Sequence, residues 1–250
     1  MNIRSTLRRS ETLVGLVRDS RNVAQSVKNI LRTRRSPSCD GVFFEEYCAA
    51  HTVRKLHIGA GDCGLSGWLN TDIDPSADDV LFMDATKPFP FIENSFDYVY
   101  SEHMIEHISR RDGAFMLSEC RRVIKPGGTI RIATPDLRVL ADLYAGNGDP
   151  DKNNYIKWVT DRFMKNTSEY QAGFVINQAF YKWGHQFLYD SDLLATALRD
   201  AGFTNIQRCS MGFSEDEHLR GIESHGKFIE NDNIAEFETM IVEAKCSRES

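Results

Sequence analysis

No CxxC pair, no GxxxxGK[ST] loop and no long apolar run occurs in the 250 residues. The six cysteines (Cys39, Cys48, Cys63, Cys120, Cys209, Cys246) are scattered, which argues against a zinc ribbon or a disulfide framework and fits a reducing, cytoplasmic setting. Nothing approaches the roughly 18 apolar residues needed to cross a bilayer. The N-terminus has neither the compact apolar segment nor the small-residue cleavage site of a secretory signal. Without the lysine-bearing loop, a P-loop nucleotide site has no support. What remains is an ordinary globular composition, 41% hydrophobic and 26% charged, in a chain long enough for one large α/β domain with a short appendage.

Negative charge is scarce in the first 36 residues. They carry nine basic side chains against Glu11 and Asp19, a net of +7, so the rest of a chain of net charge −6 stands at −13. A body that acidic repels phosphates, and no nucleic-acid partner is expected for it. In the tail, Leu13, Leu16, Val17, Val23, Ala24, Val27, Ile30 and Leu31 recur at helical spacing, predicting an amphipathic helix over Glu11–Arg32. Three roles compete for it: packing on the domain or on a second copy, lying on an anionic membrane surface, and targeting to an organelle. Residues 34–38 read as a linker. The domain boundaries expected are 1–38 for helix and linker and 39–250 for the main domain.

From Val53 strands and helices alternate, the pattern of a mainly parallel sheet covered on both faces. Strands are expected at Arg54–Ile58, Trp68–Ile73, Asp79–Met83, Phe96–Tyr100 and Gly128–Ala133. Helices are expected at Arg111–Val123 and Ser191–Ala201, and a closing strand pair at Phe203–Cys209 and Glu238–Ala244. Residues 137–184 are polar, aromatic and irregular, too long for a simple connection, and read as a cap over the substrate.

The first strand runs into Gly59-Ala60-Gly61-Asp62-Cys63-Gly64, which spells GxGxxG. Glycines there permit a sharp turn and bring backbone N–H groups toward the anionic end of a ligand. Nucleotide, dinucleotide and S-adenosyl cofactors all use such a turn. A dinucleotide site wants its ribose carboxylate about 20 residues further on. Asp72 stands 13 residues after Gly59, too close for an ordinary full helix between the two strands.

The run KLHIGAGDCGLSGWLNTDID (55–74), with FMDATKPFPFIENSFDYVYSEHMIEHI (82–108) and RVIKPGGTIRIATPD (122–136), resembles small class I S-adenosylmethionine-dependent methyltransferases often found with glycan-building enzymes. Segments 184–206 and 238–246 match the closing helix and strand hairpin of that group. The resemblance implies a Rossmann-like, seven-stranded, mostly parallel sheet with a C-terminal antiparallel hairpin, and S-adenosylmethionine as cofactor. It assigns Gly59, Ala60 and Gly61 to the cofactor turn. Asp72 takes the ribose hydroxyls, with Ile73 beside it and Asp74 as the fallback. Asp84 and the Ala85 backbone face adenine, and Tyr100 and Ser101 meet the methionine moiety. The chain departs from the pattern at His57, where many relatives carry Asp or Glu, and at Cys63, which replaces a third closely spaced glycine.

His103-Met104-Ile105-Glu106-His107 also spells the inverse zincin pattern HxxEH, but the methyltransferase group commonly has this sequence after its fourth strand, so no metal is expected. His107 is expected to pack against the sheet. His103, nearer the carboxyl ends of the strands where ligands bind in open α/β sheets, is a candidate base, as is His185 in the aromatic cluster Phe180, Tyr181, Trp183 and His185. Asp136 is expected to line the same pocket. The activity implied is methyl transfer to a saccharide or glycan-precursor hydroxyl, or otherwise to a small metabolite. Two alternatives stand beside it: an NAD-linked oxidoreductase or epimerase, and a non-catalytic partner of a glycan-assembly enzyme in which the tail helix supplies membrane contact or self-association.

Overall fold

The computed structural model describes residues 37–145, 148–164, 167 and 169–247. The expected tail helix, with each of its three roles, lies outside them. The chain divides after Ala50 into two compact units. The described part of the first is one helix, α1 (Pro37–Ala50). Pro37 therefore opens a helix instead of closing a linker, since its fixed φ and missing N–H suit a first turn.

The second unit is built on a seven-stranded sheet of order β3-β2-β1-β4-β5-β7-β6. Its strands are β1 (Lys55–Ile58), β2 (Leu69–Asp72), β3 (Val80–Phe82), β4 (Phe96–Glu102), β5 (Ile124–Pro135), β6 (Phe203–Cys209) and β7 (Thr239–Cys246). The first five pair in parallel and β7 runs antiparallel to both β5 and β6. This is the Rossmann-like, mostly parallel sheet with a C-terminal antiparallel hairpin that the resemblance implies. Leu56, Ile58, Val99, Ile130 and Ile132 are fully buried, as expected of central strands covered on both faces. α2 (Arg110–Val123) follows β4, its first turn capped by Ser109, whose hydroxyl accepts from the Asp112 N–H. β5 begins at Ile124, earlier than expected. Phe96 pairs with Ile124 and the next pair is Tyr98 with Thr129, so the Lys125–Gly128 turn is looped out within the strand.

The 137–184 segment, the expected cap, is not irregular. It contains α3 (Leu137–Ala145), α4 (Pro150–Phe163) and α5 (Ala172–Tyr181). Leu140, Leu143, Tyr155, Ile156, Val159, Val175 and Ala179 bury together with Ile229 and Ile234, a core separate from that under the sheet. Capping residues mark the way in: Asp149 accepts from the Asp151 and Lys152 N–H groups and Pro150 stands at the first helical position. Beyond it lie α6 (Ser191–Asp200), α7 (His225–Ile229) and α8 (Asp232–Glu238). Among the described residues no helix is long and apolar enough to cross a membrane.

One buried ionic cluster ties the 210–225 segment to the sheet. Arg131 of β5 is fully buried; its Nε donates to Glu223 Oε1 at 2.7 Å and its Nη1 to Glu243 of β7. Glu223 also accepts from the Gly212 N–H at 3.0 Å. Removing one member leaves the others as uncompensated buried charge, at a cost of about 3–5 kcal/mol. Arg131→Met is expected to lower unfolding free energy by an amount in that range, read from urea denaturation; a change within error would show the cluster to be energetically idle.

Candidate active site

The glycine turn owes its shape to β2. The N–H groups of Gly59 and Ala60 both donate to the Thr71 carbonyl at 2.9 and 3.0 Å. The Gly61 N–H donates to Asp72 Oδ2 at 2.8 Å. These donors are therefore engaged within the protein and do not form the anion-binding nest that a pyrophosphate requires. Gly59 has φ +74°, and a Cβ built there would meet Met104 Cγ at 2.5 Å. Gly61 has φ +49° and nothing within 4 Å of that position, so its outer face is open to a ligand.

Asp72 ends β2, half-buried. Its Oδ1 accepts from the Asp74 N–H at 2.8 Å as Oδ2 accepts from Gly61. Each carboxylate oxygen carries two lone pairs, so one per oxygen remains for the two hydroxyls of a ribose. Ile73 presents its side chain outward, 57% exposed, an apolar surface beside that carboxylate. Past the adjacent β3, Asp84 Oδ1 accepts from the Thr86 N–H and Oγ1 at 2.9 and 2.7 Å, leaving Oδ2 for another donor. Ala85 is buried next to it, and Ser101 on β4 has a buried hydroxyl with no hydrogen-bond partner. The strand-end carboxylates, the open face of Gly61 and the orphaned Ser101 hydroxyl fit an adenosyl cofactor with a polar amino-acid end.

His57 is buried in β1. Asn70 Oδ1 faces its Nδ1 at 3.1 Å and also accepts from the Leu65 N–H at 2.8 Å. The oxygen identity follows from Leu65, so His57 Nδ1 must be the donor and Nε2 keeps its lone pair. Burial pushes the pKa of His57 down against the hydrogen bond to Asn70 and the nearby charge of Glu102 and Asp72, leaving a neutral imidazole.

A cavity of about 360 Å³ opens beside this turn. Gly59, Ala60 and Gly61 form one end; Trp158, Phe163, Trp183 and Phe228 supply aromatic wall; Glu102, His103, His107, His185, His225 and Glu238 supply polar groups. None of its described lining residues is Lys or Arg. Of the residues expected at the site, the cavity brings together Gly59, Ala60, Gly61, His103 and His185. Asp72, Ile73, Asp84, Ala85 and Ser101 sit at the strand ends outside its wall.

The histidines differ in what their nitrogens face. His103 has φ +47°, a left-handed conformation that costs a residue with a Cβ about 1–2 kcal/mol. Its Nε2 lies 2.9 Å from Thr239 Oγ1 and its Nδ1 3.4 Å from Glu106 Oε1, so both nitrogens are engaged. Burial opposes its charge, yet the hydrogen bond and charge of Glu106 hold its pKa above the ordinary value. Burial likewise disfavours ionised Glu106, and His103 reverses this, holding that carboxyl below its usual range. An imidazole so occupied is poorly suited to take a proton from a substrate. The Nδ1 of His185 is buried without a hydrogen-bond partner, and burial lowers its pKa.

Other expectations change too. Ile105–His107 is a single 3-10 turn, so the HxxEH histidines do not share a helix face, and His107 lines the cavity instead of packing on the sheet. Phe180 and Tyr181 point outward, while Trp183 and His185 reach the cavity. Asp136 is buried away from it: Oδ1 caps α3 at the Arg138 N–H, 2.9 Å, and Oδ2 pairs with Arg208 at 2.8 Å. Glu102, Ser224, His225, Glu238 and the rings of Trp158, Phe163 and Phe228 were not foreseen. They come from β4's end, the cap and the 210–238 stretch, where no periodic or motif signal marks them.

Residues 56–132 match the family model described as a methyltransferase domain. A search of curated proteins finds no match. Among solved structures, the chain resembles a Thermotoga maritima S-adenosylmethionine-dependent protein described as a possible histamine N-methyltransferase, at 17% identity and TM-score 0.45, over 91% of this chain and 97% of that one. It also resembles the Haloferax volcanii complex of the Trm112 methyltransferase activator and a methyltransferase, at 16% identity and TM-score 0.44, over 82% and 88%. A third is Haemonchus contortus phosphoethanolamine N-methyltransferase 2 bound to S-adenosylmethionine, at 19% identity and TM-score 0.41; 79% of this chain matches 49% of that one, about half its length.

Gly59→Ala places a methyl group against Met104 and imposes a strained φ. It is expected to abolish cofactor binding in calorimetry and to lower Tm; unaltered binding would show that the turn tolerates a side chain.

Proposed function

We propose that this chain, which carries an S-adenosylmethionine-dependent methyltransferase domain, methylates a hydroxyl of an uncharged acceptor, a saccharide or glycan precursor with an apolar face, held in the cavity beside the glycine turn. The observation that carries this is the cavity's composition: aromatic walls and buried carboxylates, with no Lys or Arg among the described lining residues. Aromatic faces stack on the C–H surface of a sugar or a flat ring, and the carboxylates repel phosphorylated or carboxylated acceptors.

In the proposed arrangement Asp72 binds the ribose hydroxyls, Asp84 and Ala85 the adenine edge, and Ile73 covers the base. Ser101 and the open face of Gly61 meet the amino-acid portion. His57, neutral with Nε2 as acceptor, takes a hydrogen bond from the cofactor's amino group in place of the missing carboxylate. Bound S-adenosylmethionine supplies an activated methyl group on sulfur. The protein's work is then to align acceptor and methyl carbon and exclude water, effects reaching roughly 7–11 kcal/mol in well-oriented reactions. An NAD-linked reaction is disfavoured because the N–H groups a pyrophosphate needs are already bonded to Thr71 and Asp72.

S-adenosylmethionine and S-adenosylhomocysteine are expected to raise Tm, by about 2.7 kcal/mol of stabilisation at a hundredfold excess over Kd, while NAD does not. With tritiated donor, 4-nitrophenyl glycosides are expected to accept methyl and their sugar phosphates are not. Stabilisation by NAD alone, or preference for the phosphates, would contradict the proposal.

A further inference from the structure

We infer that His225, held by Glu238 and Tyr155, is the base that takes the acceptor's proton. The inference rests on the methyltransferase assignment and names a residue that the sequence pattern does not mark. His225 Nε2 lies 3.1 Å from Glu238 Oε1, and Glu238 Oε2 accepts from the Tyr155 hydroxyl at 2.6 Å. Tyr155, buried beside that carboxylate, has its pKa pushed well up and keeps its proton. An ionised carboxylate only accepts, so Nε2 carries the imidazole's hydrogen and Nδ1 its lone pair. Among the described residues nothing bonds to Nδ1, and the ring lines the cavity.

Three further elements fix the ring's position. Glu102, at the end of β4, accepts from the Ser224 N–H (2.9 Å), the Ser224 hydroxyl (2.6 Å) and the His225 N–H (3.0 Å). Arg131 anchors the neighbouring Glu223. His103 stacks on the His225 ring, centroids 3.6 Å apart and planes 12° from parallel. An imidazole oriented by a carboxylate, with the opposite nitrogen open, is the arrangement by which a neutral histidine accepts a hydroxyl proton and has its new charge stabilised. As the acceptor oxygen forms its bond to the methyl carbon, its proton passes to Nδ1. The carbon–sulfur bond breaks with its electron pair left on sulfur, and His225 later releases the proton to solvent. His103, with both nitrogens engaged, serves as the stacking platform and not as the base.

The test begins without ligands, on the full chain with ¹⁵N-labelled histidine. The resonances missing in His225→Gln identify His225; they are expected to show hydrogen on Nε2 and none on Nδ1 at pH 8, with the Nε2 proton altered in Glu238→Gln and Tyr155→Phe. Hydrogen on Nδ1 would overturn the inference. In transfer to 4-nitrophenyl glycosides, His225→Gln is expected to lower kcat by about 10²-fold or more while calorimetric affinity for S-adenosylmethionine stays unchanged. Wild-type turnover in that variant overturns the inference, as does turnover lost to a chelator and restored by zinc. A wild type that fails to bind the donor sinks the methyltransferase assignment itself. A wild type that binds donor but methylates no glycoside sinks the acceptor class, and the nitrogen resonances still decide the base.

Discussion

At the carboxyl end of β4, Glu102 gathers the N–H and hydroxyl of Ser224 and the N–H of His225. That carboxylate joins the sheet, which carries the cofactor turn, to a segment far along the chain that carries the other side of the cavity. Arg131 secures the same segment from β5 through Glu223. The same stretch is held by apolar contacts as well, Leu219 packing with Trp68, Tyr100 and Ile241 and Ile229 with the helical core, and by the Tyr98 hydroxyl, which donates to Asp216 at 2.8 Å. The two sides of the cavity are thus registered by buried charge and hydrogen bonding together with apolar packing. Buried polar contacts fix position in this way only when their partners are present.

The glycine turn shows how a motif is resolved by its bonds. The same letters serve dinucleotide and S-adenosyl sites, and the pairing of the N–H groups adds to the short Gly59–Asp72 spacing in separating them. Here Thr71 and Asp72 take those donors, so the turn offers shape and an open backbone face, not an anion nest. Asp72 consequently has two tasks: it locks Gly61, and its remaining lone pairs suit a diol. His57 belongs to the same network, because Asn70 and Leu65 dictate its tautomer and leave Nε2 as an acceptor.

The sheet was legible because its strands are short, apolar and separated by turn residues, and because the glycine turn and Asp72 sit at fixed strand ends. The seven strands and the C-terminal antiparallel hairpin followed from the family resemblance, whereas the strand order is read from the structure. The three cap helices were not legible: their apolar positions, such as Tyr155, Ile156 and Val159 in α4, alternate with polar ones and bury against α7 and α8, partners distant in the chain. His103 was found by position; the contacts of its nitrogens with Thr239 and Glu106 were not, since neither follows from spacing alone. His225 was invisible for the same reason: its meaning lies in Glu238, Tyr155 and Glu102, brought in from three other elements.

The most direct test is a crystal structure of the chain with S-adenosylhomocysteine. Both ribose hydroxyls are expected on Asp72, the adenine edge at Asp84, the amino group on His57 Nε2, and the sulfur opening into the cavity toward His225 Nδ1. Adenosine bound away from Asp72, or sulfur facing away from the cavity, would contradict this expectation.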